Sequence, residues 1–185
     1  MQVNELTSVE QVLDVLGSGG GTAYFGEPVT VLEHSLQAAH IIHASGGASA
    51  LVVAALLHDL GHLLHTEGED AAQRGLDTRH EELGVTALCG HLPPAVLDPI
   101  RMHVAAKRYL CFAHPEYLAE LSPASVESLA LQGGPMNADE AQTWIASPHA
   151  RDALRLRRAD DEAKIAGLEV PPLESYRPLV AALWR

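Results

Sequence analysis

The stretch Leu56-Leu57-His58-Asp59-Leu60-Gly61-His62-Leu63-Leu64 places side chains that bind metals or protons inside an aliphatic run. The apolar residues around it predict a helix over residues 48–64 that is buried on most of its circumference. On such a helix His58 and His62 lie one turn apart on one face, as do Asp59 and His62. We therefore expect His58, Asp59 and His62 in the core of the protein.

Burying these groups is costly unless something compensates them, because an unpaired carboxylate in an apolar core costs several kcal/mol. Two explanations are open. Either Asp59 and a neighbouring imidazole satisfy each other by hydrogen bonding, or a cation binds them. The composition favours the cation, because the chain has 11 histidines although only 4% of its residues are Phe, Trp or Tyr.

The length and charge of the chain limit its fold and its partners. With 185 residues, 47% of them hydrophobic, it can form one well-filled core, and we expect a single domain over residues 1–185. Its formal charge of −12 argues against nucleic acid or an anionic membrane as a partner, whereas a small anion held by a few Arg or Lys side chains is compatible with it. No apolar run approaches the roughly 20 residues of a membrane span. Cys89 and Cys111, with no signal peptide ahead of them, are expected to be reduced thiols of a cytoplasmic protein.

Helices separated by glycine and proline account for the rest of the chain. Thr7-Ser8-Val9-Glu10 and Thr30-Val31-Leu32-Glu33 have the spacing of capping boxes, and each precedes an apolar stripe of helical period. Other predicted elements are helices that begin near His80, Pro93, Asn137 and Pro148, and a segment over residues 173–185 that docks on the core. No alternation typical of a strand is present, so the sequence predicts an all-α fold.

The predicted helices each carry one or two potential metal ligands. In chain order these are His34, His58 and Asp59, His80, His103, and then either Asp160 or Asp161. Imidazole and carboxylate without cysteine suit iron, manganese or zinc. This set exceeds what one tetrahedral zinc ion needs, whereas two metals bridged by Asp59 would use all of it.

The same residues resemble a known superfamily. The order His34, His58-Asp59 and Ala159-Asp160 resembles that of HD-domain proteins, which are all-α and are best known as metal-dependent phosphohydrolases. His80 and His103 resemble the extra pair that lets some members hold a second metal. The resemblance implies an HD-domain helical bundle with a buried dinuclear metal site.

Further motifs give a more specific resemblance, to the small mixed-valence di-iron oxygenases that cleave the carbon–phosphorus bond of 1-hydroxyphosphonates. They span nearly the whole chain. The motifs are Tyr24-Phe25-Gly26-Glu27-Pro28-Val29-Thr30, Leu32-Glu33-His34, Leu56 to His62, His103 with Lys107-Arg108-Tyr109-Leu110-Cys111, Leu131-Gln132-Gly133-Gly134-Pro135-Met136, and Arg157-Arg158-Ala159-Asp160-Asp161.

This resemblance implies a role for each matched residue. The ligands of one iron would be His34, His58, Asp59 and Asp160, and those of the other would be Asp59, His80 and His103, with Asp59 bridging an Fe(II)/Fe(III) pair. Tyr24 would be a removable ligand of the second iron, and Glu27 would receive the amino group of the substrate. The residues implied to bind the phosphonate are Lys107, Ser125, Gln132 and Arg157, with His62 near the substrate.

The implied reaction is an O2-dependent cleavage of a small organophosphonate. The substrate would be 2-amino-1-hydroxyethylphosphonate or its N-methylated analogue, and the products phosphate and a carboxylate, glycine or betaine. Spacing agrees with the anion-binding role, because His103 and Lys107 lie one turn apart and so nearly do Arg157 and Asp160. On this interpretation, truncating Lys107 or Arg157 raises KM and leaves the iron in place.

Alternatives from other classes remain. An HD phosphohydrolase would use the same ligands to activate water on a small phosphate ester. A non-catalytic metal-binding domain would not need the anion-binding residues, and oxygenation of a polyol would not need Glu27. From spacing alone, Tyr24 and Glu27 are also compatible with an ordinary solvated loop, and Lys164 can pair with Asp160 or Asp161 on one helix.

Overall fold

The computed structural model describes residues 5–65, 67, 71 and 74–185. This part of the chain contains ten α-helices and, as its only β-structure, one isolated bridge between Ala23 and Thr30. The helices are α1 Val9–Gly19, α2 Val31–Ala44, α3 Ser49–Leu57, α4 His80–Leu88, α5 Pro94–Ala113, α6 Tyr117–Glu120, α7 Pro123–Leu131, α8 Ala138–Ile145, α9 Ala150–Glu162 and α10 Arg177–Leu183. The predicted all-α class is confirmed. Among the described helices, none has both the length and the apolar character needed to cross a membrane.

Four helices form the bundle that positions the site. Helix α3 packs against α2, α5 and α9, and α2 and α5 each pack against α9 as well. Every residue from Leu51 to Leu57 is buried, because α3 is surrounded by its neighbours. The C-terminal segment docks on this core through Tyr176 and Val180, as predicted.

The prediction of one continuous helix over residues 48–64 is wrong, because the helix is interrupted after Leu57. Helix α3 ends at Leu57, Asp59 leaves the helical region with φ −103° and ψ 9°, and Leu60–Leu63 forms a 3-10 turn. The turn packs on the start of α4 so closely that a Cβ at Gly61 would lie 1.9 Å from the carbonyl oxygen of His80. This tertiary contact ends the helix, and His58 and His62 therefore belong to a turn rather than to one helical face.

Side-chain caps mark the starts of α1, α2, α7 and α8. The capping box of Thr30 and Glu33 is present as predicted. The one predicted for Thr7 and Glu10 is not formed: Ser8 is the N-cap, its Oγ accepts from the Gln11 N–H at 3.2 Å, and Gln11 Oε1 accepts from the Thr7 N–H at 2.7 Å. Helix α5 continues ten residues past His103, to Ala113, so that His103 and Lys107 lie one turn apart on a single long helix.

Candidate dinuclear metal centre and its cavity

Asp59 lies between two groups of imidazoles. Its Oδ2 atom is 3.6 Å from His34 Nε2 and 3.5 Å from His58 Nε2. Its Oδ1 atom is 3.4 Å from His80 Nε2 and 3.7 Å from His103 Nε2. Each carboxylate oxygen therefore faces a different pair of nitrogens, which is the arrangement of a ligand that bridges two metal ions.

Asp160 completes the first group. Its Oδ1 atom is 3.4 Å from His34 Nε2 and 3.9 Å from His58 Nε2. Asp161 instead contacts Arg157 and the hydroxyl of Tyr117. Asp160 therefore faces the histidines, whereas Asp161 contacts other partners.

The tautomers of three histidines follow from their backbone contacts. The Nδ1 atoms of His34, His58 and His103 lie 2.7–2.8 Å from carbonyl oxygens of Ala163, Ala55 and Ile100, respectively. A carbonyl only accepts, so each Nδ1 carries the proton and each Nε2 presents a lone pair.

These lone pairs converge in a way that fits a bound metal. The Nε2 atoms of His34 and His58 are 3.2 Å apart, and those of His80 and His103 are 3.0 Å apart. The Nδ1–H groups of His34 and His58 donate to backbone carbonyls, so neither Nε2 atom carries a hydrogen that it could donate to the other. Two nitrogens bound about 2.1 Å from one ion at angles near 90–110° stand about 3.0–3.4 Å apart. The donor set therefore fits a metal at the first group, and the distance between His80 Nε2 and His103 Nε2 matches that of two nitrogens on one ion at the second.

Charge supports the same conclusion. Burial raises the pKa of Asp160, but the Arg157 guanidinium outweighs it and the pKa lies well below its usual value. Burial lowers the pKa of His103 to about 3, so this imidazole is neutral. An ionised carboxylate such as Asp160 and a neutral imidazole such as His103 are the forms in which these groups bind cations.

His62 is a further imidazole at the second group. Its Nε2 atom is 3.9 Å from Asp59 Oδ1, and its ring stacks on that of His80 with centroids 3.9 Å apart. The ligand atoms of Asp59, His62 and His80 lie within 4.8 Å of one another. His103, at 3.7 Å from Asp59 Oδ1, is nearer than His62, and it is also the more deeply buried. His62 thus borders both the metal group and the adjoining cavity.

The loop over residues 24–27 covers the centre. Tyr24 donates its hydroxyl hydrogen to Asp59 Oδ2 at 2.6 Å, and its ring stacks on His34 with centroids 4.0 Å apart. Phe25, at φ 44°, and Gly26, at φ 76°, turn the chain, and the Phe25 ring contacts that of His62. Burial and the Asp59 carboxylate raise the pKa of Tyr24 well above its usual value, so the phenol keeps its proton. In this conformation Tyr24 contacts the Asp59 oxygen that faces the first group.

A cavity of about 380 Å³ adjoins the metal ligands. It brings together every residue that the sequence assigned to substrate. Its lining includes Tyr24, Glu27, Asp59, His62, His80, His103, Lys107, Ser125, Gln132, Arg157 and Asp160. His34 and His58 are fully buried behind it.

Two buried cations, Lys107 and Arg157, line the same cavity, and both contact Ser125. Lys107 Nζ donates to Ser128 Oγ at 2.7 Å and lies 3.4 Å from the Ser125 carbonyl oxygen. Arg157 Nη2 lies 3.4 Å from Ser125 Oγ, and its Nη1 lies 2.8 Å from Asp160 Oδ2. Burial, and then the Arg157 charge, lower the pKa of Lys107 to about 7. A dianion bound beside Lys107 would stabilise its charged form and so offset both the burial and the repulsion from Arg157.

Ser128 and Lys164 are two of the cavity residues that sequence reasoning did not assign to the site. Ser128 lies one turn after Ser125 on α7, a spacing that could have identified it. Helical spacing allowed Lys164 to pair with Asp160 or Asp161 on one helix, but α9 ends at Glu162. Its Nζ atom lies 3.3 Å from Glu27 Oε1 instead.

Comparison with known proteins agrees with this geometry. The HD domain profile matches residues 31–166. A [1-hydroxy-2-(trimethylamino)ethyl]phosphonate dioxygenase (glycine-betaine-forming) of Leisingera caerulea is 39% identical over 97% of this chain and 91% of its own length. A hydroxymethylphosphonate dioxygenase of Gimesia maris is 43% identical over 84% of this chain and 78% of its own. The chain belongs to the HD domain family.

Proposed function

We propose that the protein cleaves the carbon–phosphorus bond of a 1-hydroxyphosphonate with O2, acting as a single HD domain over residues 1–185. The observation that carries this proposal is one carboxylate, Asp59, between two groups of imidazoles, beside a cavity with two buried cations. The named activities of the relatives from Leisingera caerulea and Gimesia maris support the reaction class.

The proposed cofactor is a mixed-valence pair of iron ions. One ion would be held by His34, His58, Asp59 and Asp160, and the other by Asp59, His80 and His103. The imidazole nitrogens and carboxylate oxygens at these positions suit iron. Bound there, the pair would supply the activation of O2 and the redox capacity that side chains lack.

The overall reaction balances without a further reductant. R–CH(OH)–PO3²⁻ and O2 give R–COO⁻, HPO4²⁻ and a proton. The carbon that bears the hydroxyl group loses four electrons, O2 gains them, and phosphorus keeps its oxidation state. The bond broken joins this carbon to phosphorus, and both oxygen atoms of O2 enter the products.

Residues of the cavity would bind and orient the phosphonate. Lys107 and Arg157 offer charge-assisted hydrogen bonds, and Ser125, which contacts both, offers its hydroxyl. Lys107 lies one turn from His103 on α5, and Arg157 contacts Asp160 on α9. These shared helices fix the distance between the phosphonate and the metal ligands. Gln132 lines the same cavity; its Nε2 amide can donate to the phosphonate, and its Oε1 atom, which is buried and has no hydrogen-bond partner among the described residues, can accept from the hydroxyl group of the substrate.

The loop over residues 24–27 would close the site and meet the substituent of the substrate. Tyr24 and Phe25 exclude water from the face of Asp59 and His62, since their rings pack on the histidines. Glu27 lines the cavity and can pair with a cationic group of the substrate, through a hydrogen bond where that group is a primary ammonium and through charge alone where it is trimethylated. This supports 2-amino-1-hydroxyethylphosphonate or its N-methylated analogue as substrate.

The direct test is an aerobic assay of a phosphonate panel. Released phosphate and consumed O2 should rise in a ratio near one with 1-hydroxyphosphonates, and both should stop when O2 is removed. Turnover of a small phosphate ester that continues without O2 would establish the phosphohydrolase instead, because hydrolysis needs no change of metal oxidation state.

A further inference from the structure

Lys164 and Glu27 form an ion pair within the cavity. The Lys164 Nζ and Glu27 Oε1 atoms are 3.3 Å apart, and the side chains are only 13% and 15% exposed. Both residues line the same space as Lys107 and Arg157. The carboxylate that faces the substituent of the substrate is therefore already neutralised before any substrate binds.

The backbone around Lys164 is anchored on both sides. The preceding carbonyl, of Ala163, accepts from His34 Nδ1 at 2.8 Å. After it, the Ile165 N–H donates to Gln37 Oε1 at 3.0 Å, and the Ile165 carbonyl accepts from Gln37 Nε2 at 2.8 Å. Gln37 is itself 1% exposed. The position of Lys164 is thus fixed relative to the first metal group, and only its side chain can move.

We propose that Lys164 is a specificity-determining residue that competes with a cationic group of the substrate for the Glu27 carboxylate. The inference rests on the proposed function and concerns the choice among 1-hydroxyphosphonates. A substrate without a cation leaves the Glu27–Lys164 pair intact. A substrate with one must share Glu27 with Lys164 or displace it.

The contacts of both partners support this exchange. Glu27 Oε1 is buried and has no hydrogen bond of good geometry from the described residues, although the Lys164 ammonium is within ion-pair distance. It can therefore accept a donor. Lys164 has a second acceptor, Ser122 Oγ, at 3.4 Å, towards which it can turn. A primary ammonium would replace the hydrogen bonding of Lys164, whereas a trimethylammonium offers charge but no donor.

The two relatives give suitable probes. Hydroxymethylphosphonate has no cationic group, and 1-hydroxy-2-(trimethylamino)ethylphosphonate has a permanent one. 2-Amino-1-hydroxyethylphosphonate completes the set with a hydrogen-bonding cation. The quantity to measure is the ratio of kcat/KM for each cationic probe to kcat/KM for hydroxymethylphosphonate, because general damage to the site cancels in this ratio.

The variants are Lys164→Met, Glu27→Gln and the two combined, with Arg155→Met as the control. Arg155 lies on the exposed face of α9, so its loss changes net charge equally but not the cavity. We expect Lys164→Met to raise the ratio by about tenfold or more, since a buried carboxylate is left for the substrate cation. Glu27→Gln should lower the ratio. In that background Lys164→Met should raise the ratio by less than it does in wild type, because it then removes only the repulsion between Lys164 and the substrate cation and leaves no carboxylate for that cation.

Every outcome either supports or overturns the proposed role of Lys164. A ratio that Lys164→Met leaves within about twofold of wild type, or a similar gain in the Glu27→Gln background, overturns the role of Lys164. An equal loss of kcat/KM on all probes would make Lys164 a phosphonate ligand and would also overturn it. If wild-type protein turns over none of the probes, the proposed function fails, and the inference fails with it. Circular dichroism and metal content verify that each variant is folded.

Discussion

The Tyr24 hydroxyl donates to Asp59 Oδ2 at 2.6 Å, so the loop that covers the cavity is fastened to the carboxylate that both imidazole groups share. A movement of this loop away from the cavity would therefore break the hydrogen bond between Tyr24 and Asp59, the proposed bridging ligand. The two residues lie 35 positions apart in sequence, and the contact ties the loop before α2 to the turn after α3.

Tyr24→Phe should weaken the metal-free protein more than the metal-loaded one. Without metal, the Asp59 carboxylate loses a buried hydrogen bond, which costs about 1–3 kcal/mol of unfolding free energy. With metal bound, the ion holds the carboxylate and the cost is smaller. Urea denaturation of both forms measures this. Tyr176→Phe, in the main apolar core, is the control. An equal loss in both forms would show that the contact does not bear on the metal site.

Asp160→Asn and Asp161→Asn should separate metal binding from the placement of Arg157. Asp160 Oδ1 is 3.4 Å from His34 Nε2, whereas Asp161 contacts Arg157 and Tyr117. We expect Asp160→Asn to lose metal, and Asp161→Asn to keep it while KM for the phosphonate rises about three- to tenfold. Metal analysis and steady-state kinetics measure both effects. Loss of metal in Asp161→Asn, with metal retained in Asp160→Asn, would show that Asp161 and not Asp160 is the metal ligand.

Truncation of the two cations should have different effects on metal content. Lys107→Ala removes only contacts in the part of the cavity that would bind the phosphonate. KM should therefore rise by about tenfold or more, while the metal content stays that of wild type. Arg157→Ala should raise KM and also release metal, because Arg157 Nη1 lies 2.8 Å from Asp160 Oδ2 and holds that ligand. This revises the expectation from sequence that iron survives both changes. Full metal retention in Arg157→Ala would restore that expectation.

Lys107 should also make stability depend on pH. Its folded-state pKa is lowered from 10.5 to about 7, so the unfolded chain binds more protons between these values. The free energy of unfolding of wild-type protein should therefore rise with pH across this window, relative to Lys107→Met. Urea midpoints of ligand-free protein from about pH 7 to about pH 10 test the sign. A difference in unfolding free energy between the two proteins that does not change with pH would show that burial does not lower the pKa of Lys107.

Much of the site was accessible from sequence because its ligands occupy short motifs. His58 and Asp59 are adjacent, and His34, His80 and His103 each lie on a helix whose limits Pro, Gly or caps indicate. The break after Leu57 was not accessible, because it results from the contact of Gly61 with His80, which no local pattern encodes.

The role of Lys164 was missed for a related reason. Helical spacing placed it beside Asp160, but α9 ends at Glu162 and the side chain reaches a loop far away in sequence. Long-range ion pairs leave no periodic signal. The Asp160–Asp161 alternative likewise required coordinates, because adjacent carboxylates look alike in a sequence.

Iron analysis combined with electron paramagnetic resonance tests the bridging role of Asp59 most directly. Purified protein should contain about two iron ions per chain and give a mixed-valence signal that changes when 2-amino-1-hydroxyethylphosphonate is added. Asp59→Asn should abolish the signal. A single, redox-inert metal per chain, with no such signal and unaltered by the phosphonate, would contradict the account.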